Sequence, residues 1–339
     1  MSPRAWAAFA AVSTLWGIPY LFIRIAVDDG VPPAFLAWAR VLIGAVVLLA
    51  LAWRAGTLTS LRGRARWLVG YAVLEIAIPF PLIATGERHV SSSLAAIIIA
   101  CVPLIVALLA LRFDRDERAT GRRLVGLLIG LAGVAALVGI DVAGNGGELL
   151  GAGAIFLAAV GYAAAPMMLK HRLADLDPRA TMGVSLAIAA LLLTPAAALD
   201  PPSHSLSSKA LLAIIVLGLL CTAVALAIMA SLVAEVGPGR ALVITYINPI
   251  VAVALGVTVL DERPGAGAVA GLLLILAGSW LSTDGRLPPG LVALAGRLRG
   301  SGPPVRVDAP GAGDVEPRAA SAQWLTPRPR PHAAVESII

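Results

Sequence analysis

Residues 116–136 read DERATGRRLVGLLIGLAGVAA, and residues 261–281 read DERPGAGAVAGLLLILAGSWL. The two stretches match without a gap at the Asp-Glu-Arg start, at a glycine with the two leucines after it, and at an Ala-Gly pair. The copies begin 145 residues apart. This repeat predicts that the chain arose by duplication of one longer segment.

The composition of the chain is that of a membrane protein. Apolar residues make up 59% and charged residues 14%, and the mean hydropathy is +0.89, whereas a soluble domain averages about 45 to 50% apolar and about 25% charged residues. The net charge is +6. In a membrane protein basic residues mark the cytoplasmic side, so we predict the lipid bilayer as a partner and no nucleic acid.

Ten stretches are long and apolar enough to cross a bilayer core, which needs roughly 20 apolar residues per helix. They are 5–26, 33–53, 66–86, 90–112, 121–141, 147–169, 180–199, 209–234, 239–260 and 264–283. We therefore predict an all-α integral membrane protein with ten transmembrane helices. Residues 285–339 are rich in Pro, Gly and Arg, which predicts a disordered cytoplasmic tail.

The basic residues give the orientation. With the N-terminus inside, the cytoplasmic segments hold fourteen of them, against three outside, namely Arg88, Lys209 and Arg263. This bias predicts that both termini are cytoplasmic.

The two halves are predicted to be inverted, because five spans separate the two copies of the repeated segment. Pro103 in the fourth span and Pro249 in the ninth extend the correspondence. Inverted repeats are typical of carriers that work by alternating access, with a substrate site near the bilayer midplane.

Several loose motifs recur in order and together carry a resemblance. They are the Trp16-Gly17 pair, the AWAR segment from Ala37 to Arg40, SSSLAAIIIACVPLIVALLAL in the fourth span and the repeated DER…GLL…AG segment. The chain resembles the EamA family of the drug/metabolite transporter superfamily over residues 8–139 and 149–283, as two five-helix repeats. The resemblance implies export of small metabolites, amino acids or drugs across the bacterial inner membrane.

Ionisable residues within a span are costly and often functional. Glu75 lies about 13 Å from the cytoplasmic end of its span and Arg40 about 10 Å from the outer end of its own, at 1.5 Å per residue. Arg24 lies near the outer end of the first span. We predict that Glu75 either takes up and releases a proton during transport, or is a fixed partner of Arg40 or a protonated hydrogen-bond donor.

Prolines and polar side chains within the spans supply the other candidates. Proline removes a backbone donor and bends a helix, so four prolines are either hinges or static kinks, namely Pro79, Pro81, Pro103 and Pro249. By resemblance, spans of this kind line the central cavity. The candidates for substrate contact are Trp16, Tyr20, Tyr162, Thr245, Tyr246 and Asn248; each also suits an interhelical hydrogen bond or a packed ring.

The repeated segment itself predicts packing. Its glycines are spaced for close helix approach, and they also suit contact between two copies of the chain, a homodimer. The acids that open each copy, Asp116 and Glu117, Asp261 and Glu262, precede the fifth and tenth helices, where negative charge favours the positive end of the helix dipole.

Other classes of protein lack support in the sequence. There is no GxxxxGK[ST] motif for ATP, and the four histidines fall in loops or the tail without a metal-ligand or catalytic spacing. We predict no enzyme activity, no metal and no cofactor, and a secondary transporter of a small molecule driven by a proton gradient or by exchange. A passive channel and a non-transporting scaffold are the alternatives.

Overall fold

The computed structural model describes residues 2–113, 121–142, 144–237 and 241–282, and these residues form helices and their connections without a strand. Eight helices are long and apolar enough to cross a membrane, and two apolar helices are shorter. In chain order they are α1 Pro3–Asp28, α2 Pro33–Arg54, α3 Ala65–Gly86, α4 Ser92–Ala110, α5 Arg122–Val142, α6 Gly146–Arg172, α7 Pro178–Leu199, α8 Ser208–Val236, α9 Ile244–Val259 and α10 Ala266–Ser282. The predicted all-helical membrane architecture is confirmed, and the predicted tail, 285–339, lies outside the described residues.

The connections α1–α2, α3–α4, α5–α6, α7–α8 and α9–α10 meet at one end, here named the distal end. Arg24 at the end of α1 donates to the Glu87 carbonyl after α3 at 2.7 Å. The carboxylate of Asp29 accepts from the Ser207 backbone N–H before α8 at 3.4 Å. Asp141 accepts from Gly267 at the start of α10 at 3.1 Å. Since α1 ends and α6 begins at this end, corresponding helices of the two halves run in opposite directions.

The opposite, proximal end carries the remaining connections. Arg64, between α2 and α3, forms an ion pair of 2.8 Å with Asp175, between α6 and α7. Ser2, before α1, donates to Glu235 near the end of α8. Chain segments from both halves are therefore joined at each end.

Helix pairing follows the same relation between the halves. The most extensive contacts are α5 with α10 and α2 with α7, and α4 packs on α9. The pair α3 and α6 corresponds to α8 and α1, which also pack together. Exchanging each helix of the first half with its counterpart in the second half, α1 with α6 and so on, reproduces these contacts. The two halves are therefore related by an approximate two-fold axis.

The glycines of the repeated segment pack α5 against α10 within the chain. A Cβ built on Gly278 would lie 2.3 Å from the Gly130 nitrogen, and one on Gly126 would lie 2.5 Å from the Ser282 nitrogen. A Cβ on Gly133 would lie 2.8 Å from Leu274 Cβ, and one on Gly271 would lie 2.9 Å from Leu137 Cβ. The predicted close approach of helices at these glycines is thus confirmed, and it occurs between two helices of the same chain. A homodimer stays a prediction, which these glycines do not support.

Two pairs of corresponding helices, α3 with α8 and α4 with α9, are interrupted at corresponding places. α3 has a π-helical segment, Val73–Ala77, and α8 has one at Val216–Val224. In α4 the α-helical bonding stops after Ile99 and resumes at Val102. In α9 a 3-10 segment ends at Tyr246 and the α-helix begins at Asn248.

Three of the four predicted hinge prolines follow these interruptions directly. Pro79 begins the second part of α3, with Pro81 inside its first turn. Pro103 follows the break in α4, and Pro249 the break in α9. A proline has no N–H for the helical hydrogen-bond ladder, which accounts for the positions of the three breaks beside Pro79, Pro103 and Pro249. Movement of the helices about these prolines stays a prediction.

Candidate functional site

Five helices bring side chains together around Arg40 of α2. We name this group the central cluster: Arg40, Tyr20 of α1, Phe80 of α3, Tyr162 of α6 and Thr222 of α8. The Arg40 Nε atom donates to Thr222 Oγ1 at 3.1 Å, and its Cζ lies 4.0 Å from the centroid of the Phe80 ring. Tyr20 and Tyr162 lie within electrostatic range of the guanidinium. The cluster therefore combines one cation with three aromatic rings and draws on both halves of the chain.

The depth of the cluster follows from its position along the helices. Tyr20 lies eight residues before the end of α1, and Arg40 lies seven residues after the start of α2. At 1.5 Å per residue these positions are about 12 Å and about 10 Å from the distal end. The cluster is thus inside the bundle, between the distal end and its middle.

The local structure of α8 orients the Thr222 hydroxyl so that it can accept a hydrogen bond from Arg40. In the π-helical segment the Thr222 hydroxyl donates to the Leu217 carbonyl at 2.8 Å, which leaves its lone pairs to accept from Arg40. Two glycines let α2 and α8 approach: a Cβ on Gly44 would lie 2.8 Å from Thr222 Cγ2, and one on Gly218 would lie 2.8 Å from the Arg40 carbonyl oxygen. Thr222 was not predicted from the sequence, because a single threonine in an apolar span gives no indication of a functional contact.

Glu75 does not pair with Arg40, so that predicted ion pair is wrong. Arg40 has Thr222 as its partner, and Glu75 is half-buried in the π-helical segment of α3 with its Oε2 atom buried and without a hydrogen-bond partner among the described residues. Two tyrosines, Tyr71 and Tyr162, lie within electrostatic range of it. Tyr162 is thus shared between Glu75 and the central cluster.

The close packing of α6 fixes the backbone around Glu75. A Cβ on Gly161 would lie 2.5 Å from the Leu74 carbonyl oxygen and 3.1 Å from Cγ of Pro79. Because Pro79 lacks an N–H, the helix before it has an irregular ladder, and the Ile78 nitrogen donates to the Val73 carbonyl at 3.1 Å in a π-type bond. The position of Glu75 is therefore set jointly by Pro79 and by Gly161.

Arg24 is engaged at the distal end and lies apart from the central cluster's contacts. Its Nε forms an ion pair of 2.9 Å with Asp28, and its Nη1 donates to the carbonyls of Glu87 and Val90 at 2.7 Å and 3.3 Å. It joins α1 to the α3–α4 connection. We therefore assign Arg24 a structural contact in this conformation.

Trp16, Thr245, Tyr246 and Asn248 lie where α1 meets the start of α9. Trp16 and Tyr246 pack against one apolar cluster of α1, α8 and α9, and Thr245 is half-buried beside them.

Two of these α9 residues bond to neighbouring helices. The Tyr246 hydroxyl donates to the Ser279 carbonyl of α10 at 3.2 Å. With its amide oriented to satisfy both groups, the Asn248 nitrogen donates to the carbonyls of Ile244 at 2.9 Å and Ser13 of α1 at 3.0 Å. Tyr246 and Asn248 thus make the interhelical bonds that were the alternative to substrate contact.

Of the two acids that open the second repeated segment, Glu262 contacts a different helix from the one predicted. Asp261 has a left-handed φ of 54°, a conformation that Asp adopts more readily than most residues, and the chain turns back there. The Glu262 carboxylate accepts from the backbone N–H groups of Ser92 at 2.7 Å and Ser93 at 2.9 Å, the first turn of α4. The predicted placement of Glu262 at the positive end of the α10 dipole is wrong, because its carboxylate contacts α4; Asp141 of α5 accepts from the start of α10. Asp116 and Glu117 lie outside the described residues.

An apolar crevice of about 310 Å³ lies between α4, α5 and α6. It is lined by Cys101, Leu104, Ile105, Leu108, Leu131, Val134, Ala135, Val138 and Phe156. It contains no charged side chain and none of the predicted site residues.

Comparison with known proteins places this arrangement in a family. The model of the EamA-like transporter family matches residues 4–139 and 149–283. The uncharacterized inner membrane transporter YedA of Escherichia coli is 32% identical over 257 residues, which cover 74% of this chain and 80% of YedA. Protein PagO of Salmonella typhimurium is 36% identical over 133 residues, which cover 39% of this chain and 42% of PagO.

A solved crystal structure shows the same fold, with a TM-score of 0.60 at 22% identity, covering 84% of this chain and 98% of that one. Two matches of the family model, one in each half, account for most of the described helices. The chain belongs to the EamA-like transporter family, and it is a membrane transporter of the drug/metabolite superfamily.

Proposed function

We propose that this transporter is a secondary exporter of small metabolites, such as amino acids or related compounds, or of drugs, working by alternating access. The observation that carries the proposal is the matched interruption of α3 and α8 and of α4 and α9, beside a cluster built from both halves. Irregular backbone within a membrane protein is tolerated where it lines a cavity or is covered by protein. Paired irregular helices give the two halves the means to exchange conformations.

The proposed topology has ten spans and both termini in the cytoplasm. α9 and α10 are short, but each is apolar overall and packs against a full-length partner. The excess of basic residues in the proximal connections favours that end as cytoplasmic, so the distal end faces outward. The test is a reporter enzyme that is active only outside the cytoplasm, fused after residue 282. Activity of this reporter would contradict the proposed orientation.

Arg40 supports anionic or zwitterionic cargo. Only its Nε atom is engaged by a hydrogen bond to another described residue, so the two Nη groups are available to a carboxylate, which Arg binds in a bidentate manner. The rings of Tyr20 and Tyr162 offer apolar contact beside it. We therefore favour small carboxylate-bearing metabolites over cationic drugs.

We assign Glu75 the proton-carrying role if a proton gradient drives transport. An unpartnered acid inside the bilayer is costly when charged, and its neighbours Tyr71 and Tyr162 are neutral hydroxyls. In proteoliposomes, Glu75→Gln should abolish uptake driven by a pH gradient while leaving counterflow, since exchange needs no net proton movement. The exposed Asp200→Asn is the matched control, and unaltered pH-driven uptake in Glu75→Gln would sink the assignment.

Counterflow with a panel of amino acids, sugars, nucleosides and cationic drugs tests the proposed function as a whole. A carrier gives saturable flux stimulated by cargo on the opposite side. Flux that rises linearly with concentration means a channel, and absence of flux with any cargo supports a scaffold.

A further inference from the structure

We propose that Glu87 is a proton-binding site that couples opening of the distal end to the pH of the solution which that end faces. The proposal rests on the proposed alternating-access function and goes beyond it, because it names a second acid, separate from Glu75. The sequence places Glu87 at a span end beside Arg88 and His89, where a carboxylate is ordinarily solvated.

The Glu87 side chain is sealed inside the protein. Its exposed fraction is 0%, and neither carboxylate oxygen has a hydrogen-bond partner among the described residues. An unpaired buried carboxylate is strongly disfavoured relative to its protonated form. The group lies just beyond α3, and burial raises the pKa of the Glu87 carboxyl well above its usual value, against the opposing effect of the Arg24 guanidinium.

The backbone holds this side chain in place. The Glu87 nitrogen donates to the Ile83 carbonyl at 2.9 Å, and the Glu87 carbonyl accepts from Arg24 at 2.7 Å. Both backbone groups are therefore fixed to α3 and α1. The carboxyl reaches solvent only if the helices around it separate.

Charged groups face Glu87 from several elements. α1 presents Arg24 and Asp28, α2 presents Arg40, and the α9–α10 connection presents Glu262.

Apart from Arg88 and His89 next to it in the chain, the remaining neighbours of Glu87 add no charge. The hydroxyl of Tyr20 on α1 is also within electrostatic range. α6 approaches at Gly86 with Ile155 and Gly151, neither of which is ionisable. The two nearby acids offset the two arginines, so the desolvation of Glu87 decides its state.

Glu262 lies within electrostatic range of Glu87 and joins the α9–α10 connection to α4. Its carboxylate accepts from the backbone N–H groups of Ser92 and Ser93 and from the Ser93 hydroxyl, at the positive end of the α4 helix dipole, where a negative charge is favoured. Gly256 permits this contact, because a Cβ there would lie 2.4 Å from Glu262 Oε2. The Glu262 contact thus ties the α9–α10 connection to the start of α4, and the buried, unpartnered Glu87 nearby carries the proton.

Opening would reverse this arrangement. When the α9–α10 connection leaves the start of α4, water reaches Glu87, and its carboxylic acid dissociates into a carboxylate and one proton released to the distal solution. Closing takes the proton back. The closed state binds more protons, so by linkage a rising pH favours the open state.

Spin labels on two exposed positions measure this movement directly. Arg88→Cys and Arg263→Cys, in a background with Cys101→Ala and Cys221→Ala that retains transport, place labels on either side of the Glu262 contact. The label distance in nanodiscs should lengthen as the pH is raised from 5 to 9. Glu87→Gln, which mimics the protonated acid, should keep the short distance throughout, whereas Glu75→Gln should keep the pH response.

Two controls make the outcome decisive. Glu262→Gln, which weakens the contact with α4, should give the long distance at every pH, and thermal unfolding of each variant checks that it is folded. A pH response in Glu87→Gln equal to that of the unsubstituted protein overturns the proposal. A distance that never responds to pH overturns it too, even if transport is measured, whereas a response without transport of any cargo counts against the proposed function alone.

Discussion

The π-helical segments of α3 and α8 lie at corresponding positions in the two halves, 73–77 and 216–224. The first carries Glu75, and the residue 145 positions later is Leu220, which is 40% exposed on the surface of the bundle. The second carries Thr222, which bonds Arg40. Duplication has kept the backbone irregularity in both halves, while the polar chemistry differs, with an acid in one half and a hydroxyl that binds a cation in the other.

The difference has a physical basis. π-Helical turns leave carbonyl groups without regular helical partners and recur at functional sites, so the backbone feature is useful to either half as a point of movement. A charged residue inside a bilayer is costly, so under the proposed function a single acid at this depth would carry the proton. The difference between the halves would then let a symmetric scaffold bind an asymmetric cargo.

The largest expected effect comes from overfilling the contact behind the first π-helical segment. Gly161→Leu would place a Cβ 2.5 Å from the Leu74 carbonyl oxygen, and such overpacking against backbone should lower the free energy of unfolding by about 3 kcal/mol, the upper end of the usual range. Thermal unfolding in detergent measures it. On the same helix, a Cβ at Gly153 would meet nothing within 4 Å, so Gly153→Leu should not lower the melting temperature; equal melting temperatures for both variants would mean that α6 does not fix α3.

A smaller effect is expected in the second π-helical segment. Thr222→Val keeps the shape of the side chain but removes the acceptor of Arg40 Nε, and an unsatisfied buried donor costs about 1–3 kcal/mol. Transport at saturating cargo should fall about tenfold or more, which corresponds to about 1.4 kcal/mol. Thr258→Val is the matched control, since the Thr258 hydroxyl bonds only its own helix at Ala254, and a like loss in both variants would refute a special role for Thr222.

The smallest effect concerns the first turns of α2 and α7. α7 begins after Asp177, whose carboxylate accepts from the backbone N–H groups of Arg179 and Ala180 at 2.8 Å and 3.3 Å, whereas Pro32 at the corresponding place before α2 offers no side-chain cap. The loss of such a cap in Asp177→Ala should cost about 0.5–2 kcal/mol at pH 7.

The pH dependence of that loss follows from the titration of Asp177. The hydrogen-bonded Arg179 guanidinium lowers the pKa of Asp177 below its usual value. A lowered carboxyl pKa in the folded state gives stability that is complete above the unfolded value, about 3.9, and that disappears as the pH falls through the folded value. The difference between the two proteins, measured by unfolding against pH, should therefore vanish in acid, and a difference that persists at pH 2 would exclude the carboxylate as its source.

The span pattern was readable from the sequence because each apolar stretch is about as long as the bilayer core is thick. The bounds of the helices differ by only a few residues from the predicted ones, and α9 and α10 are shorter. The breaks before Pro79, Pro103 and Pro249 were also predictable, because a proline lacks the backbone N–H wherever it occurs.

The partners of the polar residues were not readable in the same way. Depth along the helix suggested that Arg40 reaches Glu75, but depth carries no information about which face of a helix a side chain occupies. The structure turns Arg40 to Thr222 of α8, a helix far along the chain. Glu262 likewise caps α4 and not the helix that follows it, because the left-handed turn at Asp261 sends the chain back.

By itself the sequence determined the membrane class, the number of apolar stretches, the internal repeat and its inversion, since these depend on composition and periodicity along the chain. The tertiary structure alone decided which charges meet. It leaves the Glu75 and Glu87 carboxylates without hydrogen-bond partners among the described residues, and it joins Glu262 to the start of α4 and Arg40 to Thr222. The physical reason is that burial and hydrogen bonding depend on the distances between helices. Glycines such as Gly161 and Gly218 determine these distances, because they let the helices pack closely.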